Sequence, residues 1–182
     1  MKKFLFLFIL LSSTSCTLKK QEGIFSFEKP TGWKKITSDS IFEHMKSKHQ
    51  PIVSRETYIN IRHQSNSSLD NPFFTIVKRE NKHVSDDAFF DSVQKQVDLY
   101  KEFYHPIQFT DEPKIIKIDK MDALYYSFEF QESRNNKIKQ HRSKAYIIPN
   151  NNFSYEIYMN DEKNRDYQKD FDQLLSSIQF DK

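Results

Sequence analysis

The sequence predicts an α+β fold in which a single antiparallel β-sheet is flanked by helices. Four stretches with strand character follow one another between residues 115 and 159, and short turns separate them. Apolar residues recur with helical spacing before these strands, at 85–104, and again near the end of the chain. Consecutive strands pair as antiparallel neighbours, and helices beside such a sheet bury one of its faces. This order of elements therefore favours an α+β sandwich.

The domain is predicted to open with a β-hairpin. Apolar and polar residues alternate over 24–29, Pro30-Thr31-Gly32 forms a turn, and Trp33 to Ile36 has the character of a second strand. A short helix is predicted to follow at 38–49. The next stretch, 52–63, is compatible with either strand or helix, and a strand is predicted at 73–79.

The clearest helix covers residues 85–104. Ser85 is a suitable N-cap, and Asp86 and Asp87 suit the positive end of the helix dipole. One face of this helix is apolar, and Pro106 ends it; the face consists of Phe89, Val93, Val97, Tyr100 and Tyr104.

An antiparallel meander and a final helix complete the predicted domain. The four strands of the meander are Ile115–Ile118, Ala123–Phe130, Lys139–Ile148 and Phe153–Met159. The final helix has an apolar side, which predicts that it packs on the sheet; this side is formed by Tyr167, Phe171, Leu174 and Ile178.

The first sixteen residues indicate export and lipid attachment. Lys2 and Lys3 precede an apolar run from Phe4 to Leu11, and small polar residues lead to Cys16, the only cysteine. This is the layout of a signal peptide, and its apolar run is too short to span a bilayer. A cysteine at this place predicts a lipidated N-terminus, since a lone thiol in an exported chain has no disulfide partner. An ordinary cleaved signal with an incidental cysteine is the alternative.

We therefore expect three parts, namely a signal peptide at 1–15, a lipidated tether at 16–23 and one domain at 24–182. The expected partners are the membrane, contacted through the lipid anchor, and an unidentified protein of the cell envelope. Thr17 follows the cysteine in place of the aspartate that retains enteric lipoproteins at the inner membrane. The predicted location is the outer membrane, facing the periplasm.

Composition excludes several function classes. The chain carries 28 basic and 25 acidic residues, and two of the basic ones lie in the signal peptide. Nucleic acid is therefore not an expected partner. Only two glycines occur, whereas phosphate-binding loops and nucleophile elbows require glycine. No catalytic residue, cofactor or metal site is predicted.

The two ends of the domain resemble the PsbP-like family and bacterial lipoproteins of the DcrB type. The similarity rests on FSFEKPTGWKKI near the start, with Pro30, Gly32 and Trp33, and on LLSSIQF near the end, with Ser177 and Phe180. It implies a PsbP-like α/β sandwich and a role in protein binding without catalysis. Independently, burial preferences favour a structural role for Trp33 over stacking on a ligand.

A partner-binding surface is considered in the stretch KEFYHPIQF. This stretch contains more aromatic residues than one helix face can bury, so Phe103, His105 and Phe109 are candidates for an apolar patch that contacts a partner protein. The alternative is that the aromatic residues pack beneath the meander.

The functional prediction is a lipid-anchored cell-envelope lipoprotein that acts as a non-catalytic accessory or protein-binding factor. Two alternatives stay open. A carrier of small ligands predicts an apolar cavity open at one edge of the sheet. An envelope enzyme whose site lacks a local motif predicts a deep polar pocket with shifted pKa values.

Overall fold

The computed structural model describes residues 25–36, 52–61, 72–83, 85–103, 107–134, 137–163 and 166–180. The strands in these ranges are β1 (Phe25–Ser26), β2 (Trp33–Ile36), β3 (Ile52–Asn60), β4 (Phe73–Glu80), β5 (Gln108–Ile118), β6 (Met121–Arg134), β7 (Lys137–Asn150), β8 (Phe153–Glu162) and β9 (Gln179–Phe180). The helices are α1 (Asp86–Phe103) and α2 (Gln168–Ser176).

Two antiparallel meanders join to form one seven-stranded sheet. Its strand order is β2-β3-β4-β8-β7-β6-β5, and every neighbouring pair is antiparallel. The first meander is β2-β3-β4 and the second is β5-β6-β7-β8; they meet where β4 pairs with β8. Helix α1 carries the chain from β4, near the middle of the sheet, to β5 at its edge. Strands β1 and β9 form a separate two-stranded ribbon.

The seven-stranded sheet is covered on both faces. On one face, α1 packs on the β6 and β7 side through a cluster of buried residues: Phe89, Val93, Val97, Leu124, Tyr126, Ala145 and Ile147. On the other face, α2 and the β1–β9 ribbon cover a larger cluster, which includes Trp33, Phe74, Tyr146, Ile148, Ile157, Met159, Phe171 and Leu174. We call these the α1 face and the α2 face. Successive residues of a strand point to opposite faces, which is why β6, β7 and β8 carry apolar residues at adjacent positions.

The predicted fold class is wrong: the protein is β-rich and is not a single sheet flanked by helices. Most described residues lie in strands, and these strands form two sheets. The difference arises where the sequence pattern is weak. The ambiguous stretch at 52–63 forms strand β3, and β5 begins at Gln108 rather than near Ile115. The short helix expected at 38–49 lies outside the described residues.

Several predicted local features are confirmed. The Ser85 side-chain oxygen accepts a hydrogen bond from the Ala88 backbone N–H at 3.2 Å, as an N-cap does. Gly32 has φ 87°, and the Trp33 backbone N–H donates to the Pro30 carbonyl at 3.3 Å. These values describe a tight turn whose third residue needs a positive φ, which glycine adopts without a steric cost.

The two ends of the sheet are distinct. The Asp119 end carries the hairpin turns at 119–120 and 151–152, and Asp119 and Asn151 there have φ values of 51° and 56°. The ribbon lies at this end, because the Phe180 backbone N–H donates to Asp119 Oδ2 at 3.2 Å. At the opposite Trp33 end, α2 begins and Trp33 Nε1 donates to Asp170 Oδ2 at 2.8 Å. Trp33 is 2% exposed, so its predicted structural role is confirmed.

Candidate functional site

A groove of about 450 Å³ lies on the α2 face between α2 and the strands β5 and β7, towards the Asp119 end. We use the word cleft for this groove together with the adjoining polar side chains, which are connected by hydrogen bonds: Asp111, Ser127, Lys144 and Gln168. The groove has an apolar floor and polar residues at its rim. The floor is formed by Ile116, Ile118, Tyr146, Leu175 and Ile178, and the rim by Lys117, Asp119, Asp172, Ser176 and Gln179.

The secondary structure explains why these side chains meet. On α2, Asp172, Leu175 and Ser176 are three and four residues apart, so they share a side of the helix. On β5, Ile116 belongs to the core of the α2 face, whereas the neighbouring Ile115 is 49% exposed. Strand alternation therefore separates two adjacent isoleucines by face.

Asp111 organises the half of the cleft nearer the Trp33 end. Its Oδ2 accepts hydrogen bonds from the Tyr125 hydroxyl at 2.8 Å and from the Ser127 hydroxyl at 2.7 Å. Its Oδ1 accepts one from Lys114 Nζ at 3.2 Å. These donors, Ser127 first, hold the pKa of Asp111 below its ordinary value. The β5–β6 register shifts on both sides of Asp111, and such bulges re-aim a side chain.

Lys144 forms the floor of this polar half. In the strand register it lies opposite Ser127, which itself lies opposite Asp111. The Lys144 ammonium donates to the Gln168 side-chain oxygen, and the Gln168 amide donates to Asp172 on the next turn of α2. Burial lowers the pKa of Lys144, while the negative charge of Asp172 opposes this shift.

Two tyrosines connect the polar and apolar halves. The rings of Tyr125 and Tyr146 have centroids 5.0 Å apart, and Tyr146 also lines the groove. Burial raises the pKa of both phenols, so both are neutral at physiological pH. The cleft thus offers hydrogen-bond donors and acceptors at one end and apolar carbon at the other, which is the usual make-up of a binding site.

The predicted site residues lie elsewhere or outside the described residues. Cys16 and His105 are outside them, and Phe103 is the last residue of α1. Phe109 is half-buried on the α1 face, with its ring centroid 6.0 Å from that of Tyr126 and 5.9 Å from that of Phe128. For Phe109, this placement matches packing beneath the meander. The use of the three residues as a partner-binding patch stays a prediction.

Sequence reasoning missed the residues of the cleft. Asp111, Ser127 and Lys144 come from three strands and meet only through the register. The one signal available was that polar side chains occupy strand positions whose neighbours are apolar, as in YYSFEF, residues 125–130.

Among the residues that the structure describes, no three histidine, cysteine or acidic side chains converge to hold a metal ion. None of the helices in the described ranges is long and apolar enough to cross a membrane.

No protein-family model matches the chain, and no curated protein is detectably related to it. Membership of the PsbP-like or DcrB-type family is therefore not confirmed.

Solved structures that align with the chain include two bacterial proteins. A protein from Bacteroides thetaiotaomicron VPI-5482 aligns with 87% of this chain at 12% identity and a TM-score of 0.48, and the chain spans 45% of that protein. LpqN of Mycobacterium tuberculosis, described as involved in cell envelope biogenesis, aligns at 11% identity and a TM-score of 0.55. That alignment covers 88% of this chain and 85% of LpqN. At such identity, the likeness to LpqN shows a shared fold.

Proposed function

We propose that this protein is a lipid-anchored, non-catalytic binding lipoprotein of the bacterial cell envelope and that it holds a small ligand in the cleft beside α2. The observation that carries the proposal is the groove of about 450 Å³ with an apolar floor, which includes residues of the edge strand β5. A carrier of small ligands needs such a groove, and its volume is in the range of small-molecule sites, roughly 300–1,000 Å³.

Attachment to the envelope is supported by the signal-peptide layout that ends at Cys16. It is also supported by the similarity in fold to LpqN, which is described as involved in cell envelope biogenesis. In this proposal Cys16 carries the lipid, the described domain faces the periplasm from the outer membrane, and the family is PsbP-like or DcrB-type.

A binding role without chemistry is supported by the state of the polar groups in the cleft. The hydroxyl of Ser127 donates to Asp111, and that of Tyr125 does the same. Lys144 donates to Gln168. The carboxylate that accepts the hydroxyl protons has a pKa below its ordinary value, so Asp111 is a weak base and activates a hydroxyl nucleophile poorly.

The accessory role in protein binding is the second candidate. It rests on the aromatic density of KEFYHPIQF, residues 101–109, which predicts a patch that includes Phe103, His105 and Phe109. A stable protein interface needs about 800 Å² on each partner, so these residues would form only part of such an interface.

Anchoring is tested by labelling cells with radioactive palmitate. The full chain should incorporate label, and Cys16→Ala should abolish it. Label that persists in Cys16→Ala would show that the lipid is attached at another residue.

Binding is tested by photo-crosslinking in cells. Replacing Leu175 with p-benzoylphenylalanine places the reactive group in the groove, and replacing Ile115 places it on the opposite face of β5. Mass spectrometry of the intact protein should show an adduct of one discrete mass at position 175 and none of that mass at position 115. The same adducts at both positions, or none at either, would contradict the proposed function.

A further inference from the structure

We propose that the ligand is a membrane amphiphile, whose aliphatic chain lies in the groove and whose head group lies in the polar half of the cleft. This inference rests on the proposed function, because it specifies the chemical class of the molecule bound there. It is carried by the lining of the groove, by the change of polarity along the cleft and by the place where the chain enters the domain.

The lining of the groove suits an aliphatic chain. Ile116, Ile118 and Leu175 present branched aliphatic carbon, and the Tyr146 ring adds a flat apolar surface.

The polarity changes along the cleft in one direction. At the Asp119 end the floor is apolar, and towards the Trp33 end it passes to Lys144, Gln168 and Asp172, which are already joined by hydrogen bonds. Positive and negative groups are balanced there. An amphiphile has the same division, with an apolar chain at one end and a hydrogen-bonding head group at the other.

The apolar half of the cleft lies at the end of the domain where the chain enters. Phe25 pairs with Phe180, and the next residue of β9, Gln179, lines the groove. Cys16 precedes Phe25 by nine residues, which reach at most about 30 Å when fully extended. A lipid on Cys16 therefore keeps the groove close to the bilayer surface.

This arrangement preserves the orientation that an amphiphile has in a membrane. Its chain would enter the half of the cleft that faces the bilayer, and its head group would lie farther out, towards the Trp33 end. The molecule could leave the bilayer without turning over and without exposing its whole chain to water, which would cost about 0.8 kcal/mol for each methylene group.

The test uses the full chain with Cys16→Ala, so that the protein carries no lipid of its own, and dansyl-undecanoic acid as the probe. The fluorescence of the probe should rise to saturation as protein is added. Ile116→Asp should weaken the binding by about tenfold or more, because it places a carboxylate in the apolar floor. Ile115→Asp is the matched control and should bind like the parent.

A second variant addresses the risk that Ile116→Asp disturbs folding. Ser176 is exposed at the rim of the groove, so Ser176→Trp fills the groove without altering the core. It should also weaken the binding by about tenfold or more. Thermal unfolding midpoints like that of the parent would show that each variant is folded.

The outcomes separate this inference from the proposed function. An adduct at position 175 in cells, together with no saturable binding of the probe, would overturn the amphiphile and leave the binding function in place. If no adduct forms at position 175 and the probe does not bind, both the inference and the proposed function are overturned. Equal binding by the Ile115→Asp and Ser176→Trp variants would also overturn the inference, because the probe would then bind elsewhere.

Discussion

Removing Glu156 alone should destabilise the protein far more than removing Glu156 and Arg79 together. Arg79 Nε donates to Glu156 Oε1 at 2.8 Å, and the two side chains are only 8% and 11% exposed. The Tyr158 hydroxyl donates to the other carboxylate oxygen at 2.9 Å. These residues lie on the α1 face, where β4 pairs with β8.

The expected size of the effect follows from this burial. Glu156→Ala removes the carboxylate that Arg79 Nε contacts in a site nearly closed to water, and removing one side of a buried ion pair costs about 3–5 kcal/mol. The double variant Arg79→Met/Glu156→Leu removes both charges and fills the space with apolar carbon, which is typically neutral or stabilising. The double variant should therefore be more stable than Glu156→Ala by about 3 kcal/mol or more, a large part of the roughly 5–15 kcal/mol that stabilises a domain.

The assay is urea unfolding followed by tryptophan fluorescence. Trp33 is the only tryptophan and is buried, so its emission reports directly on the core. Lys35→Met is the control, because its ion pair with Glu56 is exposed and should contribute less than about 1 kcal/mol. The reasoning is refuted if Glu156→Ala and the double variant are equally unstable, or if Glu156→Ala costs no more than Lys35→Met.

Three further predictions concern stability. Asp170→Ala should lower the free energy of unfolding in urea by about 1–3 kcal/mol, because the buried Nε1–H of Trp33 loses its acceptor. Asp170→Asn retains an acceptor and should lower it clearly less. Equal losses in the two variants would argue against the hydrogen bond. Gly32→Ala should cost about 1–3 kcal/mol, since φ is 87° there, and an unchanged thermal midpoint would contradict this. Asp111→Asn should be less stable than the parent above about pH 4, and this difference should fade at lower pH. A carboxyl group with a lowered pKa contributes stability above its unfolded pKa, and this contribution is lost as the pH falls through its folded pKa. The same difference in stability at pH 2 and pH 7 would exclude this role of the charge.

The local elements were readable from the sequence where one periodicity dominates. Apolar spacing and the Ser85 cap predicted α1 to within a residue or two at each end. The strands at 123–130, 139–148 and 153–159 were also found, although β6 and β7 are each several residues longer. Their outer parts are polar, and a polar stretch gives no alternation from which a strand could be predicted.

Local periodicity in the sequence could not predict the order of the strands in the sheet or the residues that meet in the cleft. Pro113 is a residue that ordinarily interrupts a strand, yet β5 runs through it because bulges accommodate the proline at the edge of the sheet. The pairing of β4 with β8 joins segments far apart in sequence and leaves no local pattern. Without that register, nothing in the sequence indicated that Asp111 and Lys144 belong to one site.

The pairing of the two ends of the domain has a consequence for its synthesis. The backbone N–H of Glu28 donates to the hydroxyl of Ser177, 149 positions away, and Phe25 pairs with Phe180. The first strand described therefore gains this partner only after Phe180 has been made. All seven strands of the large sheet are synthesised before the ribbon can close. Closure of the ribbon is thus expected to be a late step of folding during translation.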